Sequence, residues 1–287
     1  NPLLLTFNPI IPSSLGIENR KALLSKGFDS YYIHSNETVS SKLSLRFLKE
    51  RGNPKLHWNS GINSSIYSLA IALNIKYIFY AEHGETHYGG TVLNESSEKT
   101  RTREEIIENL IEDDPFNWVT DDLSRSQLQP YIMPSDDLVE CSGVEAHYFG
   151  YYFPWDVLDN LKYVEERIDF KRHPEGRTIG TFTDFDSLDD HMDDVYYYLQ
   201  YIKYGFGRAT RDASRQIQLG YISREYALNN FLKHDGEYPS NAISKALKFW
   251  NISSSEFIEI IDKHRMESIW ERKGNSQWEL KHTILNS

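Results

Sequence analysis

A chain of 287 residues with 39% hydrophobic and 25% charged residues has the composition of one large or two small globular domains, which excludes a disordered chain. The formal net charge of −11 excludes a broad nucleic-acid footprint, although a local arginine cluster can still address a small anion. One cysteine, Cys141, excludes an intramolecular disulfide and any cysteine-rich metal site, and it reads as a small buried apolar residue. No apolar run is long enough for a membrane span and no signal peptide opens the chain, so no membrane partner and a cytoplasmic location are expected.

The first half alternates strand and helix signals. Leu3–Phe7 is a short apolar strand, and 16–26 is a helix closed by Gly27. Asp29–His34 reads as a second strand. Thr38–Glu50 is an amphipathic helix carrying Val39, Leu43, Phe47 and Leu48 on one face, and Ile62–Leu73 is a third helix. Lys76–Glu82 is a third strand. This alternation predicts an α/β domain over 1–145 with a parallel sheet, whose ligands sit beyond the carboxyl ends of the strands. Thr6, Asn8 and Glu82 lie at such ends. Thr102–Glu112 is predicted helical, and 113–137 a loop or short helices. Residues 146–287 are expected to form a mainly helical region. It begins with strands at Tyr148–Phe153 and Thr178–Phe182 around a helix near 155–166. Helices follow at 188–204, 208–219, 223–234, 239–250 and 254–264, then a tryptophan-bearing hairpin around Gly274. The chain opens on Asn1-Pro2 and a strand, as a segment starting inside a domain does.

The most informative segment is Gly205-Phe-Gly207-Arg208-Ala-Thr210-Arg211-Asp212-Ala-Ser-Arg215. Its glycines let backbone and ligand approach closely, and Arg208, Arg211 and Arg215 present forked donors to an anion. The acidic stretch 184–194 fails as a calcium loop. Asp186 or Ser187 reads as a helix cap there, with Asp190, His191 and Asp194 as the alternative substrate or Mg²⁺ residues and Asp184 beside them. Glu82 leads into Gly84, Glu85, Tyr88, Gly89 and Gly90. That loop reads either as a substrate or nucleotide loop or as a tight connection with surface histidines; Gly84 after His83 rules out the zinc-protease pattern. His57, Asn59 and Ser60 precede a predicted helix start, which caps the helix or faces an anion. Asp235-Gly-Glu237 is a turn whose carboxylates could approach the arginine segment. Tyr196, Tyr197, Tyr198, Tyr201 and Tyr204 read as core or interface, with one or two free to stack on a sugar or base.

Together these tracts resemble the N-acetyl sugar amidotransferase family. The carrying residues are Glu82 with Tyr88-Gly89-Gly90, Phe182-Thr183-Asp184, Asp189-Asp190, Ile202 to Thr210 with Asp212-Ala213, Ser223-Arg224-Glu225, Asp235 to Pro239, and Trp278 to His282. Residues 53–90 look closest to the branch that makes acetamidino forms of pseudaminic- or legionaminic-type acids for lipopolysaccharide and flagellin glycans. The resemblance implies a Rossmann-like adenine-nucleotide α-hydrolase sheet, incomplete at its N-terminus, because the family's Ser-Gly-Gly-x-Asp-Ser phosphate loop is not in this chain. It implies ATP and Mg²⁺, with Asp190 the candidate metal ligand. No zinc is expected, since Lys55 to Asn59 stand where relatives carry cysteines. The implied reaction attaches AMP to an acetamido oxygen and lets ammonia, from a glutaminase partner, displace it to give an acetamidine. Arg208 would stabilise phosphate charge, and Glu82, Asp190 or His191 would orient substrate or take a proton. Substrate or nucleotide contacts would come from Thr6, Asn8, His57, Asn59, Ser60, Gly84, Glu85, Tyr88, Gly89, Gly90, Asp184, Gly205, Gly207, Thr210, Asp212, Arg215, Asp235 and Glu237. Another ligase of the ATP-pyrophosphatase type, or a non-catalytic remnant binding sugar or a partner, stays open. The chain without its phosphate loop is expected to be inactive alone.

Overall fold

The computed structural model describes residues 2–82, 99–274 and 277–282. In chain order the main elements are β1 (Leu4–Phe7), α1 (Ser14–Leu24), β2 (Ser30–Ile33), α2 (Glu37–Arg51), α3 (Leu56–Ala72), β3 (Tyr77–Tyr80), α4 (Asp136–Ser142), β4 (Glu145–Tyr148) and α5 (Val157–Ile168). They continue with α6 (His191–Tyr204), α7 (Arg208–Gln218), α8 (Arg224–Asn230), α9 (Ser240–Trp250), α10 (Ser254–Asp262), β5 (Trp270–Lys273) and β6 (Gln277–Leu280). The fold is thus mixed, mostly helical with small parallel sheets. The described strands form two separate parallel pairs, β1–β2 and β3–β4, and one antiparallel hairpin, β5–β6.

Two compact units are built from interleaved stretches. One comprises 1–8, 27–40 and 56–166; the other comprises 9–26, 41–55 and 167–287. In the first unit α3 supplies the floor. Leu56, Tyr67 and Ala70 are buried, and its serines face inward because each hydroxyl finds a carbonyl: Ser60 donates to Tyr131 O and Ser64 to Pro130 O. That satisfies hydroxyls that would otherwise cost about 1–3 kcal/mol each when buried. Gly61 is required where it stands: a Cβ there would meet the Phe7 ring at 2.3 Å. Arg101 lies between the Tyr80 and Tyr148 rings, 4.0 and 4.8 Å from their centroids, and pairs with Glu82 at 2.5 Å.

In the second unit α6 buries Met192, Val195, Leu199 and Ile202, a helical stripe in which each side chain contributes about 1.5–3 kcal/mol of burial. It packs against α9, whose Ala242, Ile243, Ala246 and Trp250 are buried. Trp250 Nε1 donates to Ser44 Oγ at 2.9 Å, and Trp270 Nε1 donates to Ile202 O at 2.7 Å, so both indoles are buried without losing a hydrogen bond.

Several sequence expectations need correction. The third helix starts at Leu56, six residues before the predicted Ile62, so His57, Asn59 and Ser60 lie inside it rather than in a loop ahead of it. The apolar periodicity begins only at Ile62, whereas tertiary burial of polar residues recruits the earlier turn. Tyr148–Phe153 is not a strand: pairing with β3 ends at Tyr148, and Phe149–Tyr152 is a helical turn. Thr178–Phe182 is not a strand either but a run of turns, closed by Thr178 N–H donating to Thr183 O. The cap of α6 is Asp190, not Asp186 or Ser187. Cys141 is exposed on α4, not buried. Thr102 does cap a helical turn, with a reciprocal Glu105 bond, but the helix continues as a π-helix over Ile106–Ile111. No described helix is long and apolar enough to cross a membrane.

Candidate functional site

The second unit contains a cleft of about 470 Å³. The starts of α1 (Ser13 to Leu15), α6 (Asp190, His191, Asp194) and α9 (Pro239 to Ala242) meet there, with His173, Arg177 and Thr178 from the turns before α6. Three helix starts thus border one space, and a helix start favours an anionic group near it.

At α6 that demand is already met. Asp190 is buried, and its carboxylate accepts from Ile10 N at 2.7 Å, Ile11 N at 2.8 Å and Met192 N at 2.9 Å. Both oxygens are taken by backbone, so the residue pins the 10–11 segment to the start of α6. This arrangement does not fit the Mg²⁺ role implied by the family resemblance. Among the described residues no group of three or more His, Cys, Asp and Glu side chains is placed to hold a metal. Behind it, buried Lys55 pairs with Asp193; burial alone would lower the lysine's pKa, but Asp193 and Asp190 carry it above the ordinary value.

Asp194 also lines the cleft. Burial, against the opposing pull of Arg208 and with Asp193 and Asp190 adding to it, pushes its pKa up to about 6. Arg208 stands behind it with no side-chain exposure. Its Nη1 is 3.7 Å from Asp194 Oδ1, its Nε 3.7 Å from Asp212 Oδ2, and its Nη2 donates to Asp186 O at 2.7 Å. Nε and Nη1 have no hydrogen-bond partner. The guanidinium also lies over the Tyr197 ring at 4.6 Å, with Arg211 at 4.4 Å. His191, at the cleft, accepts at Nε2 from Lys245 Nζ at 2.5 Å. Burial first and Lys245 second lower its pKa, which favours the neutral ring, and an ammonium donor at Nε2 favours the tautomer with its proton on Nδ1.

The turn at 235–237 braces this wall. Glu237 takes the Arg177 fork at 2.7 and 3.0 Å, His234 Nδ1 at 2.9 Å and Gly180 N at 3.0 Å. Burial would raise its pKa, but these hydrogen bonds outweigh it and hold the carboxyl down to about 2. Asp235 accepts from Thr210 N and from the Thr210 hydroxyl, closing the first turn of α7. A Cβ on Gly207 would meet Asp235 Oδ1 at 2.8 Å, so Gly207 serves close approach of this turn, not an unusual dihedral. Gly205, at φ 75°, ends α6 in the left-handed region. Asp212 accepts from Thr181 Oγ1 at 2.7 Å and from Arg211 Nε at 3.1 Å. Asp184 receives His173 N on its carbonyl, and Arg215 lies in the last turn of α7.

Of the residues singled out in sequence, Asp190, His191, Asp194, Arg208, Gly207 and Glu237 thus line the cleft or the small void beside it. Thr6, Asn8, His57, Asn59, Ser60 and Glu82 belong to the first unit. There Asn8 accepts from Tyr32 OH, Asn59 donates to Leu110 O, and His57 shares a bond with Ser40. Gly84, Glu85, Tyr88, Gly89 and Gly90 lie outside the described residues. Sequence reasoning missed Arg177, Lys245 and the start of α9. Arg177 follows Gly176 in an ordinary turn, and Lys245 sits on a helix face where lysine is usually solvated, so neither carries a local signal.

Residues 179–284 match the family model described as the C-terminal domain of WbpG-like LPS biosynthesis proteins. No curated protein matches the chain. The matched segment carries Asp190, Asp194, Arg208, Glu237 and the start of α9, so the part of the chain that builds most of this cleft is similar to the C-terminal domain of lipopolysaccharide biosynthesis proteins.

Proposed function

We propose that this chain acts in lipopolysaccharide biosynthesis as part of an ATP-dependent amidotransferase that converts an acetamido group of a sugar to an acetamidino group. The family match to residues 179–284 supports the pathway, and the resemblance across the motifs supports the reaction. The observation that carries the reading is the Asp194–Arg208 pair: a carboxylate with a pKa near 6 facing a cleft, held from behind by a fully buried guanidinium. Such a carboxylate changes protonation near neutrality, as a group that accepts a proton from an amine nucleophile must. ATP supplies the activation that makes an amide oxygen a leaving group. Within the chain, Arg208 keeps Asp194 in place, Asp194 exchanges the proton, and neutral His191 offers Nδ1–H to a sugar oxygen. Ammonia would come from a glutaminase partner.

The test is release of AMP and pyrophosphate by the full-length protein, with ammonia and a panel of nucleotide-linked and acidic acetamido sugars. Stimulation by one sugar, with an acetamidine in the product by mass spectrometry, is the expected result. AMP release that no sugar stimulates would overturn the reading.

A further inference from the structure

Ser187 stands apart on the cleft wall. It is half-buried and has a φ of 52°, left-handed backbone that residues other than glycine rarely adopt. The turn is held from both sides. Before it, Asp186 O accepts from Arg208 Nη2 at 2.7 Å, and the Asp186 carboxylate accepts from Arg211 Nη2 at 3.3 Å. After it, Leu188 O and Asp189 O accept from the hydroxyl and the N–H of Ser13. A strained residue persists where its surroundings over-determine it, and such residues cluster at ligand sites.

The Ser187 hydroxyl is directed as well. It shares a 3.0 Å bond with the Tyr197 hydroxyl. The Arg208 and Arg211 guanidinium groups lie over the Tyr197 ring at 4.6 and 4.4 Å, and Arg211 also hydrogen-bonds the Tyr197 hydroxyl. A guanidinium donates and never accepts, so the phenol accepts from Arg211 and gives its own hydrogen to Ser187 Oγ. The hydrogen on Ser187 is then left over, and among the described residues no other group takes it. Tyr197 lines the small void beside the cleft, whereas Ser187 lines the cleft itself.

We infer that Ser187 is a ligand-binding residue of this cleft, donating its hydroxyl hydrogen to an oxygen of the bound sugar, and that Tyr197 is the positioning residue that aims it. Arg208 and Arg211 then act through this turn: they fix Asp186 ahead of the serine and set the direction of the Tyr197 bond. This rests on the cleft being the sugar site of the proposed reaction.

The experiment is isothermal titration of the full chain with UDP-N-acetylglucosamine and with N-acetylneuraminate. At least one of them is expected to bind, and binding of neither would overturn the inference. Ser187→Ala keeps the left-handed strain and loses the hydroxyl, so it should melt like the parent and bind about three- to tenfold more weakly. Ser187→Gly loses the hydroxyl and relieves the strain, so it should melt higher and bind as weakly as Ser187→Ala. A serine kept for its backbone alone would give parental affinity in both variants, and that result would overturn the inference. Tyr197→Phe should weaken binding in the parent and have no further effect in the Ser187→Ala background; additive losses would remove the positioning role of Tyr197. Weakened binding in Ser187→Ala with no AMP release from any sugar would leave Ser187 standing and remove the amidotransferase reading. Amidation with a parental KM in Ser187→Ala would do the reverse.

Discussion

At the scale of single residues, Asp194 and Glu237 sit on the same wall and are perturbed in opposite directions. Asp194 has a folded-state pKa of about 6, above its ordinary 3.8, so the folded chain holds this proton more tightly than the unfolded one. Its contribution to stability is fully present below about pH 4 and is lost as pH rises through 6. Asp194→Asn should therefore differ least from the parent below about pH 4 and gain roughly 2–3 kcal/mol relative to that baseline by pH 8, read by urea denaturation at both pH values. The same variant should remove any inflection near pH 6 from the sugar-binding profile. Glu237 behaves inversely. Its pKa is held down to about 2, below the ordinary 4.5, so its contribution is present above pH 4.5 and is lost as pH falls toward 2. Glu237→Gln should cost about 1–3 kcal/mol at pH 7, because it leaves the Arg177 fork and the Gly180 N–H short of acceptors. Acid denaturation curves of the variant should be flatter than the parent's between pH 4.5 and 2.

At the scale of elements, the cleft depends on how closely α1 approaches the segment that leads into α6. Ser13 N–H donates to Asp189 O at 2.9 Å, and the Ser13 hydroxyl donates to Leu188 O. Gly16, one turn on, leaves no room: a Cβ there would stand 2.3 Å from Asp189 Cα, a backbone atom that no rotamer change can move. Gly16→Ala should push α1 from the 187–190 segment and lower stability by about 1–3 kcal/mol, measured as a fall in melting temperature. It should also weaken ligand binding, because the start of α1 moves with it. Helix α7 shows the same logic at its own start. Gly207 has an ordinary φ of −117°, so it is a glycine only because Asp235 presses against it while capping Thr210.

At the scale of the molecule, the second unit is assembled from distant stretches. Asp190 binds Ile10 and Ile11, Lys55 meets Asp193, and Ser44 receives the Trp250 indole. Residues 167–287 expressed alone would keep the family-matched segment but lose all three, leaving Asp190 with Met192 N of its three backbone donors and Asp193 without Lys55. Such a fragment should lack a cooperative thermal transition; adding 9–55 in a fused variant should restore one, as followed by near-ultraviolet circular dichroism. Much of the local structure was legible without coordinates. The apolar periodicity of 38–50 and 254–264 and the turn signal at Gly274 located α2, α10 and the closing hairpin, because those signals depend on neighbours a few residues apart. The arginine segment 205–215 was also legible as special, since it crowds glycines and forked donors together. What only the tertiary structure decided is which charges answer which. Asp190 looked like a metal or substrate residue and proved to be held by three backbone N–H groups, two of them 180 and 179 residues away in sequence. Asp194, four residues on and of the same type, was left facing the cleft. The pattern of carboxylates was written in the chain, but which carboxylate faces backbone and which faces the cleft is set by packing between segments far apart in sequence.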